Sequence, residues 1–565
     1  MPAADRRSTR ARSIKTETKT GFPAAMSSRF QPTTAIPTLL TMTFQRFHLL
    51  GTEPSTAKEV ALESFASFKK GEVLEKIEEV VDHPDAVAVA IDGHAIREPQ
   101  GPAPLPVVGN YYEIYPDHLH NHGRLFRKYG DVIRTEVMGK VVYLTNSPSV
   151  SEQILIESPY FSKEINSNHP LYGIRNNDAL FLGDTNKNWV VGHKYASASM
   201  TGKAIPHYAK MTHNELVKVL GVLHTLDARE ESFNAYSLTL KIASQVIGKF
   251  TLMRDLHHLD SPESPLDDLV TDMVALLGYN KQVTSRGEWF GKLPFGPGKH
   301  LRDSSGHFQQ LLEKQLQLIK DEHEKNPRPD LDLETAALDA DCLADFFLRA
   351  ADKNGDKIPH DLLLANLGVL VGAGFTTTSS AMAWLLYALA KYPDCQDKLL
   401  QELVDNDITK DTEFTPAVFE KLAYLEKFLK EALRMHGPSF APARPAQVDN
   451  VVLPGGYVLN KGDVVISALY SIHYHPKIWN NPERFDPERW TPDFKPSRYE
   501  YMPFAAGGRS CIGFAFALQE LRLFLATIVR YYDISQVGDE AIEYDPEFQL
   551  IRPTNLYIRA KRRPE

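Results

Sequence analysis

Phe504-Ala-Ala-Gly-Gly-Arg-Ser-Cys-Ile-Gly513 is the stretch on which the reading of this chain turns. A lone cysteine is usually a small buried hydrophobe, and Cys342 and Cys395 read that way. Cys511 keeps different company. Gly507, Gly508 and Gly513 allow a tight turn and a close approach of backbone to a flat ligand, which side chains would block. The cysteine falls just before a helix predicted over about Phe514 to Tyr531, where free N–H groups and the helix dipole favour a thiolate. Arg509, two residues earlier, is set to meet a carboxylate of such a ligand. Phe504 is positioned to pack beside the sulfur and keep water off it.

Upstream of this loop the chain is irregular and proline-rich back to Pro438. From about Ser147 to Lys430 it is almost wholly helical in pattern, with turns expected at Pro206, Pro262, Pro294 and Pro327. One helix, predicted over Asp361 to Lys391, is apolar but interrupted midway by Ala373-Gly-Phe-Thr-Thr-Thr378, a locally unfavourable cluster. Taken alone, that cluster could be a notch for helix packing. Glu431-Ala-Leu-Arg434 and Pro487-Glu-Arg-Trp490 add an i, i+3 ion pair and a further arginine. In Asn188-Trp-Val-Val-Gly-His193, Trp189 and His193 share a helix face. Val132 to Met138 and Val141 to Thr145, joined by Gly139-Lys140, read as a β-hairpin, and Leu556-Tyr-Ile-Arg559 as a late strand. The fold class is therefore mainly α with a small β region.

These motifs, in their order along the chain, resemble the cytochrome P-450 family of heme-thiolate monooxygenases, over about Pro102 to Lys561. The resemblance implies a cytochrome P-450 fold and heme b (iron protoporphyrin IX), with Cys511 as axial ligand to the iron. It implies that Glu431, Arg434 and Arg489 form a buried network locking the cysteine loop. It assigns Trp189, His193, Arg509 and, more weakly, Arg444 to the heme propionates. In the apolar helix, Gly374 leaves room for dioxygen, and the hydroxyl of Thr377 hydrogen-bonds it and passes protons. Thr376 stands where most members carry an acid, so water or another residue must complete the proton path. The Trp-x-x-x-His form of the first helix motif, followed by Ser197-Ala-Ser-Met-Thr201, looks closest to the heme domain of soluble fatty-acid hydroxylases.

The implied reaction inserts one atom of O2 into a small lipophilic substrate, with electrons from NAD(P)H passed through a partner. Too few residues follow Cys511 for a flavin domain, and no dinucleotide fingerprint is evident. The expected donor is a separate reductase or ferredoxin. Two other readings remain open: a heme-thiolate isomerase or dehydratase that needs no reductase, and a heme sensor without turnover. Lys140 and Tyr143 lie near where the fatty-acid hydroxylases hold a carboxylate, one residue short of their spacing. Nucleic acid is excluded as main partner by a net charge of −9 without a dominant basic stripe.

Residues 1–50 carry arginines and lysines among serines and threonines, as a transit peptide or a disordered basic tail does. Residues 51–100 are an extension with helices expected over Thr56 to Lys70, opened by a capping box, and over Glu72 to Val81. Residues 101–565 form the heme domain. No run of about 18 apolar residues occurs, so no transmembrane anchor is expected. Widely spaced cysteines point to an intracellular setting, cytoplasmic or mitochondrial. Asp352-Lys-Asn-Gly-Asp-Lys357 resembles a calcium loop, but its glycine comes too early and Leu363 replaces the closing glutamate, so it reads as a polar turn.

Overall fold

A computed structural model describes residues 93–564, apart from Gly287 and Phe440. The tail over 1–50 and the helices expected over 56–70 and 72–81 lie outside the described residues.

Thirteen helices of seven or more residues occur among the described residues: α1 His118–Tyr129, α2 Pro148–Leu155, α3 Lys187–Ser199, α4 Ala204–Val217, α5 Val219–Ala228, α6 Ala235–Leu252, α7 Asp268–Ser285, α8 Pro297–Lys325, α9 Leu343–Arg349, α10 His360–Lys391, α11 Pro393–Asp405, α12 Ala423–His436 and α13 Phe514–Tyr531. Strands of three or more residues are β1 Val132–Val137, β2 Lys140–Thr145, β3 Ala443–Pro445, β4 Val451–Leu453, β5 Tyr457–Leu459, β6 Val464–Ser467, β7 Tyr532–Gln536 and β8 Tyr557–Arg562. The family's architecture, mainly helical with a small β region, is the observed one.

Local chemistry explains the boundaries that matter for the site. Ser147 caps α2 through Val150 N, and Asn186 caps α3 at 2.8 Å through Trp189 N, each satisfying an orphan donor of the first turn. Asp361 opens α10 and Lys391 closes it, matching the helix dipole at both ends. Pro393 then pushes Tyr392 out of helical geometry and starts α11 at its first position. Pro206 does not make the expected turn. It lies in the first turn of α4, where a backbone N–H has no intrahelical acceptor to lose.

The predicted hairpin forms with Val137 opposite Lys140. Met138 and Gly139, the two turn residues, both have positive φ, as a tight hairpin turn requires. β2 continues into a four-stranded sheet of order β1-β2-β6-β3, in which Tyr143 and Arg444 both lie opposite Val465. A second sheet pairs β7 with β8, which also pairs with Phe233–Asn234 ahead of α6.

Helix α10 runs through the largest apolar cluster, packed against α6, with α12 and α13 in the same cluster. Among the described residues it alone is long and apolar enough to cross a membrane by length and composition. Its most apolar window is 67% buried, as a core helix is. The expectation of no such helix rested on unbroken apolar runs, which the glycines and threonines of α10 interrupt. Asp352–Lys357 is a turn closed by Gly355 N on Asp352 O at 2.8 Å, with Asp352 Oδ1 accepting from Asn354 N and Asp356 N.

Candidate active site around Cys511

The cysteine loop is closed by its own backbone. Cys511 N donates to Phe504 O at 2.9 Å, and Ser510 N to Gly507 O at 3.2 Å. Gly507 has φ +82°, and a Cβ there would run into the carbonyl oxygen of Leu155 at the end of α2. No other residue fits that turn. The sulfur of Cys511 is reachable by solvent yet lies deep among protein atoms. That depth raises its pKa, and the Gly513 N–H pulls the other way without prevailing. The helix start therefore does not by itself make a thiolate here. Coordination to a metal would, because a bound cation deprotonates a thiol outright. Cys342 is pushed up to about 11 by burial, and its sulfur accepts from Asp345 N at 3.4 Å as the cap of α9. Burial likewise raises the half-buried Cys395.

The lock on this loop is fully formed. Glu431, inaccessible to solvent, takes both prongs of Arg434 at 3.0 and 2.9 Å, and Arg489 Nε at 2.9 Å. Its remaining capacity goes to Trp490 Nε1 and Asp486 N, each at 3.0 Å. Arg434 Nη1 reaches His473 O at 2.7 Å, and His473 Nε2 accepts from Met502 N at 3.2 Å, two residues before the cysteine loop. A buried ion pair is favourable only when further hydrogen bonds serve its remaining atoms, and here every nitrogen of Arg434 and both oxygens of Glu431 have a partner. The sequence reading missed His473, Asp486 and the indole of Trp490. Nothing local in the sequence marks His473.

Beside the loop lies a patch of buried cations. Arg444, on β3, is 1% exposed; its Nη1 donates to Ala443 O and its Nε has no partner. Burial first, then the neighbouring Arg509, lower its pKa to about 10. Lys163 is 5% exposed, with its ammonium 4.8 Å from the ring of Phe181, and burial followed by Arg444 and Arg509 hold it well below its usual range. His169 is lowered by burial, Lys163 and Arg444, and its Nε2 is unpartnered. Arg509 lies 4.2 Å over the ring of Trp189, which stacks on His193 at 4.7 Å; burial and Arg509 lower His193.

Arg509 is also tied to Glu157 Oε1 at 3.2 Å, Leu180 O at 3.3 Å and Gly183 O at 2.7 Å. Trp189, His193, Arg444 and Arg509 thus converge. Lys163 and His169 join them from a loop with no sequence signal. Such an excess of buried positive charge, with an unpartnered guanidinium nitrogen, is costly unless an anion accompanies it. One accessible thiol and this patch fit a flat, metal-centred ligand with two carboxylates, as heme has.

Helix α10 divides its threonines between two faces. Thr377 is partly exposed, beside the exposed Ala373, and its hydroxyl donates to Ala373 O at 2.8 Å. Thr376 is 2% exposed and donates to Gly372 O at 2.7 Å, away from that strip. Gly374 is partly accessible, as Thr377 is. A Cβ there would stand 2.6 Å from Ile247 Cδ1, so its missing side chain admits α6. Gly372 is filled in the same way by Met273 of α7. The direction a side chain would take at Gly374 is thus filled by Ile247, and Ala373 is a second small residue flanking Thr377.

Phe504 is partly buried, with its ring 6.3 Å from that of Phe514. Tyr143 shares its hydroxyl with Arg134 and Asp463, and burial raises its pKa, so a substrate carboxylate would have to compete for it. Lys140 lies 5.7 Å from the ring of Tyr172. A pocket of about 300 Å³ opens between α7, at Val274, Ala275 and Gly278, and the loop carrying Phe548 and Arg552.

Comparison with known proteins agrees with this geometry. The cytochrome P450 family model matches residues 99–559. The cytochrome P450 monooxygenase alnD of Emericella nidulans is 44% identical over 485 residues, 85% of this chain and 87% of its own length. Human cytochrome P450 4F8 is 37% identical over 223 residues, covering 38% of this chain and 42% of its own. Mouse cytochrome P450 4A10 is 35% identical over 188 residues, or 33% and 36% of the two chains.

Proposed function

The chain belongs to the cytochrome P450 family and is a P450 monooxygenase, and from that premise we propose that it oxygenates a lipophilic organic substrate using electrons from a separate protein. Heme, when bound, supplies the oxidising chemistry, and a thiolate ligand favours O–O cleavage. Everything else falls to the residues of this chain.

The observation that carries the assignment is the solvent-reachable thiol of Cys511, held in a locked loop beside a buried cation patch. Cys511 would ligate the iron. Arg444, Arg509, Lys163, His169, Trp189 and His193 would receive the propionates, whose charge offsets a burial cost the protein otherwise bears alone. Thr377 would hold and pass protons on the distal side, since a hydroxyl both donates and accepts. Its present acceptor, Ala373 O, keeps that hydroxyl on the accessible strip of α10. Thr376 is turned into the packing and carries no acid, so the next proton donor along the path would be water.

The substrate reading is a lipophile, as is general for the family. A fatty-acid carboxylate held by Lys140 and Tyr143 is not favoured, because the Tyr143 hydroxyl is already engaged.

Thr377→Ala tests the reading. With a surrogate reductase, the variant is expected to keep heme and substrate binding while product per NADPH consumed falls about ten-fold. That is less than the ~10²–10⁴ a positioned acid–base group typically contributes, because water replaces part of a lost hydroxyl. Diverted electrons should appear as hydrogen peroxide. Unchanged coupling would remove Thr377 from the proton path and favour chemistry that needs no reductase.

A further inference from the structure

Asn366 lies on α10 about three turns before Thr377 and is inaccessible to solvent. Its amide group makes three hydrogen bonds, two of them fully buried. Oδ1 accepts from Leu180 N at 2.9 Å, and Nδ2 donates to Asp178 O at 3.1 Å and to Leu362 O at 2.7 Å. The segment it grips is closed on itself, with Asn176 N on Leu182 O at 2.8 Å and Ala179 N on Asn176 O at 3.2 Å. Holding residues 178 and 180 therefore fixes the whole turn. That turn presents the carbonyls of Leu180 and Gly183 to the guanidinium of Arg509. The same amide also touches α3, where a Cβ on Gly192 would stand 2.8 Å from Nδ2. Trp189 and His193 flank that glycine on the same helix.

We infer that Asn366 is a positioning residue that sets Arg509, through the turn at 176–183, against the heme edge. The inference rests on the reading of Arg509 as a propionate partner. Asn366 touches neither heme nor substrate. Its side chain is specified by chemistry as well as size, because a primary amide offers one acceptor oxygen beside an NH2 with two donors in one planar head, and all three are used. Aspartate would keep the bond from Leu180 N but turn an oxygen toward the carbonyls of Asp178 and Leu362. Leucine would leave Leu180 N and Asp178 O without their partner, while Leu362 O keeps the helical bond from Asn366 N. Glutamine would drive its extra methylene toward α3 at Gly192. Groups behind direct ligands commonly change metal-site affinity by about 10–100-fold when removed.

The experiment uses the full-length holoenzyme and two readings, ferric heme release to excess apomyoglobin and the heme midpoint potential. Asn366→Asp should speed heme release about ten-fold and shift the potential in the direction that Arg509→Lys does. Combining the two substitutions should add little, leaving the double variant within about two-fold of the more affected single one. Gly192→Ala offers a second route, since its new Cβ displaces the Asn366 amide without altering any side chain that bonds Arg509.

Multiplying effects in the double variant, or unchanged heme release and potential in both Asn366→Asp and Gly192→Ala, would overturn the inference. A purely structural role for Asn366 would lower thermal stability without making the potential depend on Arg509. Normal heme release in Arg509→Lys would instead remove Arg509 from the heme edge, and the inference would fall with that reading.

Discussion

Cys342 and Cys511 both stand at the threshold of a helix, and the difference between them is what each sulfur meets. The Cys342 sulfur spends its acceptor capacity on Asp345 N inside the core and is buried. The Cys511 sulfur is open on one side while the backbone of its own loop holds it in place. The second is thus the one we propose as the iron ligand. Cys511→Ser is therefore expected to abolish the red-shifted Soret band of the reduced carbon monoxide complex, since a hydroxyl cannot replace the electron-donating thiolate. Cys342→Ser should retain the band. Spectra showing the reverse would move the ligand to Cys342. The arginines follow the same logic, because Arg444 keeps an unpartnered Nε at almost full burial while Arg509 is held by Glu157 and two carbonyls.

At the scale of the element, α10 shows how one helix serves two purposes. Its glycines, Gly372 and Gly374, accept Met273 and Ile247 from neighbouring helices, and its hydroxyl at Thr377 faces the accessible strip. A Cβ at position 374 would stand 2.6 Å from Ile247 Cδ1 and 3.1 Å from its Cγ1, so that side chain must shift. Overpacking of that kind typically costs about 1–3 kcal/mol, and alanine recovers about 1 kcal/mol of helix propensity over glycine. Gly374→Ala should therefore lose no more than about 2 kcal/mol in chemical denaturation and leave product per NADPH unchanged. If it uncouples as Thr377→Ala is expected to, Gly374 faces the reaction after all. The hairpin and the α10–α11 break were both readable in advance, since each depends on neighbours in sequence, but the turn falls on Met138-Gly139 and not on Gly139-Lys140. Pro206 was not, because a proline at a first turn and one at a chain reversal look alike until the helix start is known.

Across the whole molecule, the lock on Glu431 joins α12, the segment around Arg489 and the cysteine loop through buried groups, and its histidines make stability depend on pH. Burial holds His122, His436 and His473 near a pKa of about 3, against a usual 6.5. Each stays neutral in the folded protein while its unfolded counterpart takes up a proton below 6.5. The unfolded state thus binds more protons, so the stabilisation is complete above pH ~6.5 and is lost as pH falls toward ~3. The loss amounts to about 1.4 kcal/mol per pH unit for each such histidine. His436→Phe keeps the ring stacked 5.0 Å from Trp384, and Nε2 has no hydrogen bond to lose. Denaturant unfolding between about pH 6 and 4 should therefore show a slope shallower by about 1 kcal/mol per pH unit. An unaltered slope would mean that His436 is already protonated in the folded state.

Adjacent residues alone dictate the turn at Gly507 and Gly508, the helix that follows it, the hairpin, the family and the cysteine proposed as the ligand. Local backbone geometry and side-chain spacing carry that information. Tertiary structure alone decided which groups share an environment. It put Lys163 and His169 beside Arg444, turned Gly374 toward Ile247, engaged Tyr143 with Arg134 and Asp463, and set Asn366 behind Arg509. Those residues are far apart in the chain and carry no shared pattern. Burial and electrostatics act across space, so their consequences exist only once the helices have packed.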